Sequence, residues 1–475
     1  MTPDIEGRTL GGRFRIEREV GRGGAGVVYR AIDEETNAEV ALKIVGGEAG
    51  VSPKEEERLA REGDVLRNLS HPGIVRIVAS GVFDETSQPY LAMEWLSGED
   101  LAARHKRAPL TFPQCIELGI FVAQALEAAH DAGIVHRDVK PSNIFLCAEK
   151  HERAEYLDVL PKLVDFGVAT SDDVRVTRTG DVVGTPAYMA PEQARGDAPI
   201  DARCDIYSLG ATLFELIANR PPHVGPTPIA TLARLVTTSP PRLRELRRNV
   251  PPMLDNLVHR MLSSDVMDRP GSAQEVAETL HMLLRQSMSG NSLDLGEPVM
   301  SSRLGSSASR LVTSIVAIGF SSGSARDRAL EMLRTRDADP VPLGHDSIVA
   351  HLGARFAVGT EASVALDLGR RLAKSGARVG VASGRARVNL SSQAGDMQPI
   401  GEVMDRASAL ARDATAGVVL ADATTSELGR GRYEFRTRDD GSAIVGDPLR
   451  GQRGDRAGGA PFVGRDAELA QVMSA

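Results

Sequence analysis

The segment Ile134-Val135-His136-Arg137-Asp138-Val139-Lys140-Pro141-Ser142-Asn143-Ile144-Phe145-Leu146 packs a carboxylate, a cation and an amide into one short polar stretch between apolar flanks. Leu163-Val164-Asp165-Phe166-Gly167 adds a second carboxylate downstream. Asp138, Asn143 and Asp165 supply hard oxygens or a base, and Lys140 supplies a cation close to them. Phosphoryl transfer needs such a set: carboxylates and an amide for a divalent cation, a base to orient a hydroxyl, a lysine for phosphate. The bland alternative is a polar turn between two apolar strands. Order and spacing favour the chemical reading.

Other polar oddities lie upstream. Gly21-Arg22-Gly23-Gly24-Ala25-Gly26 joins two strand-like runs, residues 14–20 and 27–32. Glycines there let backbone N–H groups approach phosphate oxygens, although a Gly-rich hairpin turn would read the same. A Rossmann loop would need a helix immediately after it, and Val27-Val28-Tyr29 reads as strand. Val40-Ala41-Leu42-Lys43-Ile44 is an apolar strand with one cation. Leu59, Glu62, Leu66 and Leu69 recur at helical spacing, which puts Glu62 on the apolar face of its helix. A buried carboxylate needs a partner, and Lys43 is the candidate. Only seven of the 56 basic residues are lysines (43, 54, 106, 140, 150, 162 and 374), so a lysine kept at a meaningful position carries weight.

The elements that must position these groups follow from pattern. Residues 70–98 read as strand, turn, strand, ending in Met93-Glu94-Trp95-Leu96-Ser97-Gly98, an extended link suited to a hinge. Residues 111–133 read as a helix. Thr111 serves as cap, Pro113 sits in the first turn, Gly133 is the stop, and Ile116, Ile120, Ala123 and Leu126 form the buried stripe.

Residues 14–284 resemble the bacterial eukaryotic-like (Hanks-type) serine/threonine protein kinases, with every major motif in order. The resemblance implies a two-lobed α+β fold and an enzyme that transfers the γ-phosphate of ATP to protein Ser/Thr hydroxyls in signal transduction. It implies that Gly21, Arg22, Gly23, Gly24, Ala25 and Gly26 cover the ATP phosphates, with Val28 and Ala41 lining the nucleotide site. Lys43 would bind the α/β-phosphates and pair with Glu62. Met93 would be the gatekeeper, and Glu94 and Leu96 would offer backbone bonds to adenine. Asp138 would be the catalytic base and Lys140 a γ-phosphate contact. Asn143 and Asp165 would hold Mg²⁺, with Mn²⁺ as a substitute. Lys140-Pro141-Ser142 resembles the Ser/Thr subclass. Gly184 to Glu192 resembles the end of an activation segment, Asp205 the anchor of the catalytic loop, and Arg269 the partner of Glu192. Thr177 and Thr179 are expected to be autophosphorylated in trans, with Arg137 receiving phosphate. The stretch after Leu146 is longer than usual and reads as a polar surface loop.

Length and composition frame the rest. At roughly 150 residues per domain, 475 residues suggest about three domains. The net charge of −8 argues against general nucleic-acid binding. Three scattered cysteines make neither a disulfide framework nor a zinc site, and no apolar run suits a signal peptide or a membrane span. The expected location is cytoplasmic. The expected partners are protein substrates, with homodimerisation through either domain and no membrane or nucleic acid.

The chain divides into a tail (1–13), the kinase-like block (14–284), a Ser/Gly-rich linker (285–310), a second block (311–450) and a tail (451–475). The second block reads as strand 311–320, helix 325–336, strand 347–353, helix 361–375, strand 378–388, helix 402–416 and strand 418–421. Gly401 to Leu410 resembles a class III nucleotide cyclase, which implies a smaller ferredoxin-like α+β domain. That family's first metal Asp falls at Val316, its second near Asp346, and its catalytic Asn and Arg at Asp405 and Ala409. The domain is therefore expected to be catalytically dead, a dimerisation or sensing module. His345 and His351 lack companions at metal-ligand spacing. Pro461 to Leu469 resembles the lead-in to a signalling ATPase domain, and no G-x-x-x-x-G-K-[ST] occurs in the chain.

Overall fold

The structure, a computed structural model, describes residues 5–23, 26–45, 66–83, 88–149, 154–166, 186–196, 199–288, 307–336, 338–353, 359–389, 399–400 and 402–449. Gly24, Ala25, Glu62, Thr177, Thr179, Gly184, Thr185 and the ATPase-like tail lie outside the described residues. The expected Lys43–Glu62 pair lies outside them too.

Alternation of apolar and polar residues builds the first sheet. Strands β1 (Thr9–Leu10), β2 (Phe14–Gly23), β3 (Gly26–Asp33), β4 (Ala38–Val45), β5 (Ile77–Phe83) and β6 (Gln88–Glu94) run in the order β1-β2-β3-β4-β6-β5. In β3 every second residue is buried, so Val27, Tyr29 and Ala31 enter the core while Val28 faces the other side. In β4, Val40, Leu42 and Ile44 do the same, which leaves Ala41 and Lys43 on the face carrying Val28. Val28 and Lys43 are directly paired across the two strands. Tyr90 stacks on Phe83 at 4.1 Å between ring centroids.

The larger lobe is helical. Its helices are α1 (Leu101–Arg107), α2 (Phe112–Asp131), α3 (Pro191–Arg195), α4 (Arg203–Ala218), α5 (Pro228–Thr237), α6 (Leu243–Leu246), α7 (Pro252–Met261) and α8 (Ala273–Met288). Thr111 precedes α2, and its N–H donates to Gln114 Oε1 at 2.9 Å. Gly119 lets α8 and α4 approach α2 closely: a Cβ there would meet Leu280 Cδ1 at 2.9 Å and Leu213 Cδ2 at 3.1 Å. A small antiparallel sheet lies under the cleft, formed by β7 (Gly98–Asp100), β8 (Ile144–Cys147) and β9 (Leu160–Leu163). The described part of the long stretch after Leu146 is not a loose surface loop. Ala154 and Leu157 are buried, and the Glu117 carboxylate of α2 accepts the N–H groups of Glu155, Tyr156 and Leu157 at 2.6–2.9 Å.

The second block comprises β10 (Ser307–Ile318), α9 (Gly323–Arg334), β11 (Asp339–Leu343), β12 (Ser347–Leu352), α10 (Glu361–Ala373), β13 (Arg378–Asn389), β14 (Pro399–Ile400), α11 (Glu402–Asp413), β15 (Val419–Ala421), α12 (Ala423–Gly429), β16 (Tyr433–Thr437) and β17 (Ala443–Pro448). Helix α8 ends and strand β10 begins inside the stretch read as linker, so the linker bounds of 285 and 310 are corrected inward. The sheet order is β11-β12-β10-β13-β15-β17-β16, with β14 beside β13. Strand β10 is covered on both faces. Ile315 and Ala317 pack toward α9 and α10, and Val312, Val316 and Ile318 pack toward α11. Val316, the position matched to a metal carboxylate, is fully buried. Among the described residues no group of three or more His, Cys, Asp or Glu is placed to hold a metal ion, and no helix is long and apolar enough to cross a membrane.

Candidate active site

Two elements hold the polar segment from beneath. The carboxylate of Asp205, fully buried near the start of α4, accepts the Arg137 N–H on Oδ1 at 2.7 Å and the His136 N–H on Oδ2 at 2.8 Å. His130, at the end of α2, bonds the same Oδ2 through Nε2 at 2.9 Å. Arg137 sits at φ +65°, a conformation a non-glycine residue adopts at a cost. The two N–H bonds hold it there. His136 Nδ1 accepts the Asp138 N–H at 3.3 Å, so its proton sits on Nε2, which donates to Val164 O at 3.0 Å. One ring thus ties the loop carrying Asp138 to the strand end carrying Asp165, and it packs on Phe166 at 4.5 Å between centroids.

The functional side chains converge above this base. Asp138 Oδ2 accepts from Lys140 Nζ at 2.8 Å and from Asn143 Nδ2 at 2.9 Å. Asn143 Nδ2 also donates to Asp138 O at 2.8 Å, and its backbone carbonyl accepts the Val164 N–H at 3.0 Å. With both bonds made by Nδ2, Asn143 Oδ1 is left as an acceptor. Asp165, at φ +57°, accepts from Lys43 Nζ on Oδ1 at 2.9 Å. Lys43 and Asp165 thus form one pair and Asp138, Lys140 and Asn143 one group, and the Val164 N–H and the His136 ring tie the two segments together. The donor set, an amide oxygen and two carboxylates, suits a hard divalent cation.

The hinge departs from expectation in one respect. Met93 is buried, as a gatekeeper would be, but the Glu94 N–H is committed to Arg76 O at 2.9 Å, so only its carbonyl remains to offer. The Glu94 side chain is also tied, accepting from Lys162 Nζ at 2.7 Å and from the Arg76 N–H at 2.9 Å. Ala41, Leu96 and Val164 are half-buried and pack against the main hydrophobic core.

Downstream, Arg269 is buried and holds Glu192 with two bonds of 2.7 Å. Gln193 of α3 donates from Nε2 to Arg137 O at 2.9 Å. That contact, the Lys162–Glu94 pair and the His130 bond were missed from sequence. Lys162 had a signal, since it is one of the few lysines; Gln193 and His130 had none. His351 is buried and bonded through Nδ1 to Ser314 Oγ at 2.9 Å.

The first block is similar in sequence to known proteins. Residues 14–282 match the family model described as protein kinase domain. A probable serine/threonine-protein kinase of Streptomyces coelicolor, SCO3848, is 36% identical over 277 residues, covering 57% of this chain and 40% of the relative. PknB of Mycobacterium leprae is 33% identical over 276 residues, covering 57% of this chain and 43% of the relative. The solved kinase domain of Mycobacterium tuberculosis PknI is 29% identical, covers 58% of this chain and 98% of that one, and gives a TM-score of 0.47. The chain spans well under half the length of these curated relatives.

Proposed function

The chain belongs to the protein kinase family, whose domain it carries over residues 14–282, and from that premise we propose that it is an ATP-dependent serine/threonine protein kinase in bacterial signalling. The observation that carries the reading is the Asp138 carboxylate, held on one oxygen by both Lys140 and Asn143. Its other oxygen is left to accept the proton of an incoming Ser or Thr hydroxyl. Lys140 stands beside that carboxylate, placed to contact the transferring phosphate. Lys43 brings a cation into the cleft from the upper sheet, with Val28 and Ala41 on the same face toward the nucleotide. Asn143 Oδ1 and the Asp165 carboxylate would hold Mg²⁺, with Mn²⁺ as a substitute. When bound, the ion neutralises phosphate charge. The Glu94 carbonyl and the Leu96 backbone would bind adenine.

Transfer of label from radioactive ATP tests this. Asp138→Asn keeps the shape and removes the base, so transfer should fall by about 10²–10⁴-fold. Equal labelling by the two chains would defeat the assignment. Phosphopeptide mapping of the active chain should find Thr177 and Thr179. A scaffold without chemistry is the rival reading, and the presence of Lys43, Asp138, Asn143 and Asp165 together speaks against it. The three cysteines are free and buried, which fits the cytoplasmic location we propose.

For the second block we propose a ferredoxin-like, cyclase-derived domain without cyclase chemistry. Its strands run in the order β13-β10-β12-β11, each antiparallel to its neighbour, with α9 and α10 as the crossovers, which supports that reading. Val316, at the first metal position, is buried hydrocarbon, which leaves Asp346 alone of that family's two metal carboxylates, and Asp405, at the position of its catalytic Asn, is paired with Arg234. Cyclic nucleotide formed by the purified chain would refute this.

A further inference from the structure

The second block rests on the kinase lobe at one place, and that place leads to the catalytic loop. Strand β11 packs on α3 and α5, and α11 packs on α5. Across the seam the Gly344 N–H donates to Ala194 O at 2.7 Å. Arg234 of α5 pairs with Asp405 of α11. Thr237, near the end of α5, meets Met404 Sδ at 3.9 Å, and both residues are buried.

Two features give this seam a functional direction. Ala194 adjoins Gln193, whose side chain holds the carbonyl of Arg137, the residue before Asp138. Helix α3 also follows directly on the segment that leaves Asp165. The second block thus covers α3, which carries Gln193, and α5, which packs beside α3. The seam is also imperfect: Asp405 Oδ1 is buried without a hydrogen-bond partner among the described residues. A contact of this kind, tethered within one chain, can be closed at equilibrium and still open, because docking is intramolecular.

We propose that the second block is an autoinhibitory cap: docked on α3 and α5, it denies folded protein substrates the surface beside the active site while leaving short peptides able to enter. The proposal rests on the kinase reading above. Undocking then switches the enzyme on toward proteins without altering its chemistry.

The test uses the full chain and two acceptors. One is a synthetic peptide of residues 172–182; the other is a full-length Asp138→Asn copy, which accepts but cannot transfer. Asp405→Arg sets two cations against each other across the seam, and Arg234→Glu sets two carboxylates. Each should raise label on the protein acceptor roughly tenfold, the change that about 1.4 kcal/mol of lost docking energy produces. The peptide rate should stay within about twofold. The double variant Arg234→Glu/Asp405→Arg, with the pair reversed, should return to the wild-type ratio, and this guards against a single variant that merely misfolds. Amide exchange in residues 228–237 and 402–413 should quicken in the single variants and recover in the double one. An active chain whose protein-to-peptide ratio is unmoved by either single variant, or is not restored by the double, overturns the cap alone. A wild-type chain that labels neither acceptor, with or without the substitutions, overturns the kinase reading and the cap with it.

Discussion

Asp205→Asn tests the support of the catalytic loop in one substitution. The carboxylate serves three nitrogen donors, the Arg137 N–H on Oδ1 and the His136 N–H and the His130 ring on Oδ2, and the Cys204 thiol also reaches Oδ1 at 3.7 Å. An amide has one oxygen. The less costly rotamer keeps that oxygen at the Oδ2 position and turns an NH₂ toward the Arg137 N–H. A buried donor left unsatisfied costs about 1–3 kcal/mol, and the two opposed donors and the lost charge add to it. We expect a loss of about 2–4 kcal/mol in unfolding free energy. The freed residue is the one held at φ +65°, so Arg137 should relax and carry Asp138 with it. A displacement near 1 Å at the base is worth about 10²-fold in turnover. Urea unfolding followed by the single tryptophan, Trp95, should show a lower midpoint at unchanged slope, and peptide phosphorylation should show the fall in kcat. An unmoved midpoint with kcat within about twofold would show that the loop does not depend on this carboxylate.

Three further outcomes follow from the same structure. Glu117→Gln leaves one of three N–H groups of residues 155–157 facing an amide NH₂; unfolding should cost about 1–3 kcal/mol less, and proteolysis should open that loop first. Lys162→Met frees Glu94 and loosens the hinge, so the ATP KM should rise by roughly 3–10-fold with kcat nearly unchanged, read by steady-state kinetics. His351 is held down to about 4 by burial. The unfolded chain takes up that proton below pH 6.5 and the native chain does not until about 4, so stability is lost as pH falls through that window. The thermal midpoint of the wild type should therefore drop over that range more steeply than that of His351→Gln, by the equivalent of about 2–3 kcal/mol.

The candidate site was legible because its members lie close in sequence or sit in short segments of fixed order: Asp138, Lys140 and Asn143 lie within six residues, and Asp165 follows β9 by two residues. Alternation in β3 and β4 gave the side facing the cleft. Contacts between distant segments were not legible. No spacing links Gln193 to Arg137, or Glu117 to residues 155–157, because backbone groups accept or donate whatever side chain they carry. The long stretch after Leu146 looked like surface because its polar residues outnumber Ala154 and Leu157, the two that pack. The hinge was read from apolar pattern, which cannot report that the Glu94 N–H is already spent on Arg76. The docking of β11 and α11 on α3 and α5 left no trace in periodicity, since each element is amphipathic toward its own domain first.

The lysines of the cleft have a consequence for chemical probing. Lys43, Lys140 and Lys162 are each mostly buried and paired with a carboxylate, respectively Asp165, Asp138 and Glu94. Nearly all other cations of the chain are arginines, which acylating reagents leave alone. An amine-directed label therefore sees few exposed targets, such as Lys106 and Lys374, against a quiet background. Any change in modification at these three positions then reads the opening and filling of the candidate site directly, by mass, without a reporter group being added to the protein.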